Sequence, residues 1–268
     1  MSFSDFAQAE KTGWDRRASV YGATTARATT QAIPAVLAAA RVAAGRRVID
    51  VCCGPGYAAG AAAAIGASAE GVDAAEAMVA TARAAFPACR IETADAAALP
   101  MPDGSFDAAV CSFGLFHLAE PAAALAEMNR VLRPGGRIAV SHWAAPPASP
   151  FFKVVFGALA AHADMSVVPA GPPPFALSTP DALCDALTSA GFVDAAASEV
   201  PVVFEGPEDA FPEYFRDFSV RGFMILEGQT PEVRAEIEAA WREGFRPFVS
   251  DGTIRVPMPA LVASGQRP

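Results

Sequence analysis

Between Arg47 and His142 the chain repeats one pattern: a short apolar run closed by a polar residue, then a longer alanine-rich or amphipathic stretch. The short runs predict strands over 47–52, 69–72, 90–93, 108–112 and 138–142, each bounded by glycine, proline or polar turn residues. The stretches 57–65 and 121–132 predict the helices between them. Upstream, Ile33 to Ala43 is helical in spacing, with Gly45 as its stop. Downstream, Pro180 to Ala190 predicts a helix capped by Ser178 or Thr179 and stopped by Gly191. Strands over 192–203 and 259–266 close the pattern. Strand and helix in alternation predict an α/β, doubly wound domain built on a mostly parallel sheet.

The first strand runs directly into glycines, Arg47-Val48-Ile49-Asp50-Val51-Cys52-Cys53-Gly54-Pro55-Gly56-Tyr57. Glycines at 54 and 56 let the backbone approach a ligand in the crevice beyond the strand ends. Two ligand classes fit. Gly54-Pro55-Gly56-Tyr57-Ala58-Ala59 satisfies the loose dinucleotide fingerprint, with Asp73 near the distance of a ribose-binding acid, which would make an NAD(P)-dependent oxidoreductase. Asp50 points the other way, because a carboxylate at the strand end repels a pyrophosphate and attracts an ammonium or sulfonium group.

The same stretch resembles motif I of the class I S-adenosylmethionine-dependent methyltransferases of the ubiquinone- and menaquinone-biosynthesis type. There an acidic residue closes the first strand and G-C-G-x-G or A-C-G-x-G follows; Cys52 stands where that family has Gly or Ala. Further blocks agree. Glu70-Gly71-Val72-Asp73-Ala74-Ala75-Glu76-Ala77-Met78 is similar to G-x-D-x-S-x-x-M, with Ala75 in place of Ser, and Arg130-Val131-Leu132-Arg133-Pro134-Gly135-Gly136 is similar to R-x-L-R/K-P-G-G. Pro102 to Asp107 and Gly191-Phe192 match as well, so the main resemblance covers about residues 47–143.

That resemblance implies a Rossmann-like sheet of seven strands whose last strand is an antiparallel edge, S-adenosylmethionine as cofactor, and methyl transfer as the reaction. It implies cofactor contacts from Asp50, Cys52, Gly54 and Gly56 in the loop, and from Asp73 on the ribose hydroxyls, with Ala74 beside it. Met78 would flank the adenine, Asp95 and Ala96 would read it, and Ser112 and Phe113 would lead into the loop that faces the methyl group. Ala75 lacks a capping hydroxyl, which costs about 1 kcal/mol of helix stability. Trp14-Asp15-Arg16-Arg17-Ala18-Ser19-Val20-Tyr21 resembles the W/F-D-x-x-A-x-x-Y segment that folds over the cofactor in such relatives. Residues 1–45 are therefore expected to form a helical lid. The cofactor domain would comprise 46–143, 178–204 and 257–268. Cap insertions at 144–177 and 205–256 would hold helices over 151–162, 207–218 and 231–245, with a short apolar segment at 223–226.

The acceptor is open. The insertions are rich in Phe, with Phe151, Phe152, Phe156, Phe175, Phe211, Phe215, Phe218, Phe223 and Tyr214, which suits a small apolar or aromatic substrate or simply cements the cap. A hydroxyl acceptor needs a base, and the chain has three histidines. His117, after the fourth strand, is the first candidate for catalysis and Tyr21 the second; His142 lies near the crevice and His162 on an insertion helix. Cys52 and Ala75 leave a non-catalytic S-adenosylmethionine-binding protein as an alternative.

Charge and cysteines narrow the partners. A net charge of −9 and a pI of about 4.9 argue against nucleic acid or an anionic membrane. No apolar run reaches membrane-spanning length, and residues 1–16 do not read as a secretory signal. The five cysteines include no C-x-x-C pair, which predicts a reducing cytoplasm, no disulfide and no metal site. A homodimer is admitted.

Overall fold

A computed structural model describes residues 3–268. The chain opens with helices α1 (Ser4–Arg17), α2 (Ala26–Thr29) and α3 (Ile33–Ala39). It then alternates β1 (Arg47–Val51), α4 (Tyr57–Ala64), β2 (Ser68–Asp73), α5 (Glu76–Ala85), β3 (Arg90–Thr93), β4 (Phe106–Ser112), α6 (Pro121–Val131) and β5 (Leu132–Trp143). After α7 (Pro150–His162) and α8 (Pro180–Ser189) come β6 (Val193–Val200) and β7 (Val203–Pro207). The remaining elements are α9 (Phe211–Phe218), α10 (Val220–Glu227), α11 (Pro231–Phe245), β8 (Val249–Ser250), β9 (Thr253–Pro257) and β10 (Ala260–Gln266).

The main sheet has seven strands in the order β3-β2-β1-β4-β5-β10-β6. The pairs β3–β2, β2–β1, β1–β4 and β4–β5 are parallel, and β10 is antiparallel to both neighbours. The expected antiparallel strand is thus present but is not the edge; β6 is. Strand order reverses at the boundary between β1 and β4, which opens a crevice at their carboxyl ends.

Alternation along β1 sorts its side chains. Ile49 and Val51 pack with α6 and α8 through Leu125, Met128, Leu183 and Leu187. Val48 packs on the other face against α3, α4 and α5 through Val36, Ala59 and Val79. Both faces are buried, so β1 and β4 are mostly apolar, with Asp50 and Asp107 as the acids inside them. Arg130 explains part of its own motif: its guanidinium donates to the Leu99 and Met101 carbonyls at 2.9 and 2.8 Å, tying the loop before β4 to α6.

The cap contains a sheet that the pattern did not announce. The expected strand over 192–203 is two strands in two sheets, divided at Pro201, which has no N–H to give to a ladder. β7, β9 and β8 make a three-stranded antiparallel sheet, and a hairpin at Asp251-Gly252, both at positive φ, joins its last two strands. Helix α9 accordingly starts at Phe211 and not at Pro207, and the apolar segment 223–226 lies inside α10. Phe151 is fully buried at the centre of this cap, its ring meeting those of Phe204, Phe218 and Phe245 within 6 Å. All five cysteines are free.

The amino-terminal helix is fastened to the cap. Arg17 donates to the Arg216 carbonyl at 2.8 Å and to Gly13 at 3.0 Å, and its guanidinium lies over the Phe223 ring. Gly13 allows the approach: a Cβ there would stand 2.3 Å from Val220 Cγ1.

Candidate functional site

The ends of β1, β2, β3, β4 and β5 converge under α1 and the cap on one cavity of about 810 Å³. It brings together Cys52, Gly54, Asp73, Ala74, Met78, Asp95, Ala96, Ser112 and Phe113, together with Tyr21 and His117. Asp50 and Gly56 are not among its walls.

Those two exceptions have physical reasons. Asp50 shares the strand face of Val48, so its carboxylate turns to α4, where Oδ2 accepts the Ala59 N–H at 3.0 Å. It serves as a cap on the third residue of that helix, a position that favours negative charge. Its Oδ1 is buried without a partner, and burial pushes its pKa up to about 7, so it is a poor fixed counter-charge for a sulfonium. Gly56 has φ +84° at the N-cap of α4, and a Cβ there would stand 3.0 Å from Ala82 Cβ; it serves the turn and the packing on α5.

Asp73 organises the loop. Its Oδ2 accepts the Gly54 N–H at 2.8 Å and its Oδ1 accepts the Ala75 N–H at 2.9 Å. Burial raises its pKa while these two amides oppose the rise. Each carboxylate oxygen keeps a lone pair, so the group can still accept from a diol in the cavity. Asp95 sits at the exposed end of the same wall, its Oδ1 accepting the Ala97 N–H at 2.9 Å. A diol acceptor at the end of β2, with an exposed carboxylate after β3, fits an adenosine moiety.

Cys52 occupies the left-handed region at φ +58°, which explains why a small residue or glycine belongs there. The facing position is Gly114, where a Cβ would stand 2.5 Å from Cys52 Cβ and 2.7 Å from Cys111 Sγ. Cys52 is thus accommodated by a glycine in the loop after β4, and the neighbouring Cys111 thiol together with burial pushes the Cys52 thiol well above its ordinary pKa and keeps it protonated.

The far half of the cavity is aromatic. Phe113 stacks on Trp143 with ring centroids 3.9 Å apart, and Phe116, Phe152, Phe156, Phe175 and Phe218 add to the wall. Phe151, Phe211 and Phe215 are instead core of the cap. The Phe-rich insertions therefore both line the cavity and cement the cap.

Several titratable groups line the cavity. His117 Nδ1 lies 2.8 Å from Glu10 Oε2, a buried carboxylate brought by α1, and Trp14 covers the imidazole edge to face at 5.0 Å. His142 Nδ1 lies 2.9 Å from the Trp143 carbonyl, which can only accept, so that nitrogen carries the proton. Burial depresses its pKa to about 4 and keeps it neutral. Burial also drives Tyr21 up to about 12, and its hydroxyl lies 3.4 Å from Thr29 Oγ1, so it stays a neutral phenol near pH 7. His162 pairs with Glu236 on the cap, away from these walls. Trp14, from the expected lid segment, also lines the cavity, as do Glu10 and Arg221, whose place there only the fold reveals. Among the described residues no group of three or more His, Cys, Asp or Glu side chains is placed to hold a metal ion, and no helix is long and apolar enough to cross a membrane.

Residues 49–140 match the family model described as a methyltransferase domain. Those residues thus form a methyltransferase domain. The chain is 40% identical over 107 residues to a demethylmenaquinone methyltransferase of Beutenbergia cavernae, a match that spans 40% of this chain and 45% of that protein. A demethylmenaquinone methyltransferase of Clavibacter sepedonicus is 41% identical over 123 residues, 45% of this chain and 47% of that one. The chain thus spans about half the length of the curated relatives it matches. In fold, it superposes on a putative methyltransferase of Bacillus halodurans with a TM-score of 0.59 at 20% identity, covering 88% of this chain and 98% of that one. The match favours a methyltransferase domain over the dinucleotide reading of the glycine loop.

Proposed function

We propose that the chain transfers a methyl group from S-adenosylmethionine to a small apolar or aromatic molecule. The observation that carries this reading is the continuity of one cavity, polar at Asp73 and Asp95 and aromatic at Phe113, Trp143, Phe152 and Phe156. The polar half suits the nucleoside, and the aromatic half suits an acceptor that stacks on rings. Demethylmenaquinone methyltransferase, the name of the curated relatives, supports a ring system as acceptor.

In this reading Asp73 accepts from the ribose hydroxyls, Asp95 and the Ala96 amide read the adenine, and Met78 flanks it. Cys52 and Gly54 form the floor of the loop, with Ala74, Ser112 and Phe113 closing round the cofactor. When bound, S-adenosylmethionine supplies a methyl on a positively charged sulfur, open to in-line displacement. The protein's share is orientation and exclusion of water. Residues 3–45 act as the lid, with Trp14 and Tyr21 over the cavity, while 144–177 and 205–256 act as the substrate cap. His117, held by Glu10, is the group placed to take a proton from an acceptor hydroxyl.

Calorimetric titration tests the cofactor. S-adenosylmethionine and S-adenosylhomocysteine should bind with micromolar affinity, NADH should not, and Asp73→Ala should weaken binding at least about tenfold. Binding of NADH alone would overturn the proposal.

A further inference from the structure

Among the described residues two cations line the cavity without a hydrogen bond or an ion pair, Lys11 of α1 and Arg221 of α10; Arg221 is the one whose burial opposes its charge. Arg221, in the first turn of α10, lines the cavity along with Phe218 and Ser219 just before it in the chain. Its guanidinium lies 5.9 Å from the Phe6 ring centroid, and among the described residues it forms neither a hydrogen bond nor a salt bridge. Its neighbours behave differently. Arg17 spends three N–H groups on the Arg216 and Gly13 carbonyls, and Arg216 and Arg234 both pair with Glu227.

A guanidinium offers five donors in a planar fork that matches a carboxylate, and taking it part-way out of water without an acceptor is costly. Burial does lower the Arg221 pKa, and Glu10 is the one acid that offsets this. Glu10, however, is engaged by His117 at 2.8 Å. Arg221 is thus a cation on the wall of a cavity that also holds phenylalanines, in a protein of net charge −9.

We propose that Arg221 is a specificity residue that holds a carboxylate of the methyl acceptor, which places the acceptor among aromatic carboxylic acids rather than neutral ring systems. The assignment rests on the reading of the aromatic half as the acceptor site. Phe152, Phe156, Phe175 and Phe218 take the ring, and Arg221 takes the acid at its end, so the reacting atom is set by two anchors.

The test compares two isosteric probes, 2-naphthoate and 2-naphthamide, titrated into the full chain with and without S-adenosylhomocysteine. The wild-type protein should bind the acid at least about tenfold more tightly than the amide. Arg221→Met should bring the two within about twofold, Arg221→Lys should keep part of the preference, and S-adenosylhomocysteine affinity should be the same in all three. Equal binding of both probes to the wild type, a preference that survives in Arg221→Met, or no binding of either probe would overturn the assignment. If Arg221→Met does not fold, the wild type and Arg221→Lys still decide it. Loss of S-adenosylhomocysteine binding with the naphthoate preference intact would overturn the cofactor reading and leave the carboxylate site standing.

Discussion

Asp15 Oδ1 accepts the Ala77 N–H at 2.9 Å, so a residue of α1 caps the amino end of α5. Ala75, the N-cap residue, has no side chain for the task. Asp73 takes the Ala75 amide and Asp15 takes that of Ala77, so the cap is built from two carboxylates distant in sequence. Asp15→Ala should destabilise the fold by about 1 kcal/mol, and Ala75→Ser should recover most of that loss in the same background. Denaturant unfolding of the single and double variants measures it. Equal and additive effects would mean that the two positions do not share the cap.

Glu10 and His117 form the second fastening of α1, over the cavity itself. Removing the carboxylate leaves the His117 Nδ1 without its partner and α1 without its link to the loop after β4. Amide hydrogen exchange across 4–17 should accelerate in Glu10→Ala by a factor corresponding to roughly 1–3 kcal/mol, and less in Glu10→Gln, whose amide oxygen still accepts. Unchanged protection in Glu10→Ala would refute the fastening.

Cys52 and Gly114 should be coupled. Gly114→Ala pushes a Cβ to 2.5 Å from Cys52 Cβ and should cost on the order of 1–3 kcal/mol. Cys52→Gly removes that obstacle and relieves the φ of +58°. The double variant should be more stable than Gly114→Ala alone, with the remaining cost set by Cys111 Sγ at 2.7 Å. A double-mutant cycle with no interaction energy would contradict the contact.

Asp50 makes stability depend on pH in a direction opposite to most carboxylates. Its folded pKa, about 7, lies above the ordinary 3.8, so the folded state holds the proton more tightly between those values. The stabilisation is fully present below about pH 4 and is lost as pH rises through 7. His142, depressed to about 4, works against it, losing stability as pH falls below its ordinary 6.5. The difference between wild type and Asp50→Asn isolates the first group. Wild type should lose on the order of 2–4 kcal/mol relative to Asp50→Asn between pH 4 and 8. A constant difference across that range would show that Asp50 titrates normally.

The order of strands and helices from β1 to β5 was legible because each element carries its own signal: apolar runs of strand length, glycine turns, and proline at helix starts. The polar wall of the cavity was legible for the same reason, since Asp73 and Asp95 sit at strand ends and strand ends converge. Asp50 shows where that reasoning stops. Its place at the end of β1 is local, but the side that its carboxylate faces is fixed by strand alternation and by the helix packed there. The cap sheet is similar: β7 and β9 are separated by 45 residues between Pro207 and Thr253, and neither short strand announces its partner. By itself, the sequence determined the doubly wound frame, the glycine loop and the acids on its rim, because these follow from local periodicity and turn chemistry. Only the tertiary structure decided that α1 delivers Asp15 and Glu10 to α5 and His117, and that Arg221 reaches the cavity wall without a hydrogen-bond or ion-pair partner among the described residues. Those relationships depend on packing between segments far apart in the chain, which no local pattern encodes.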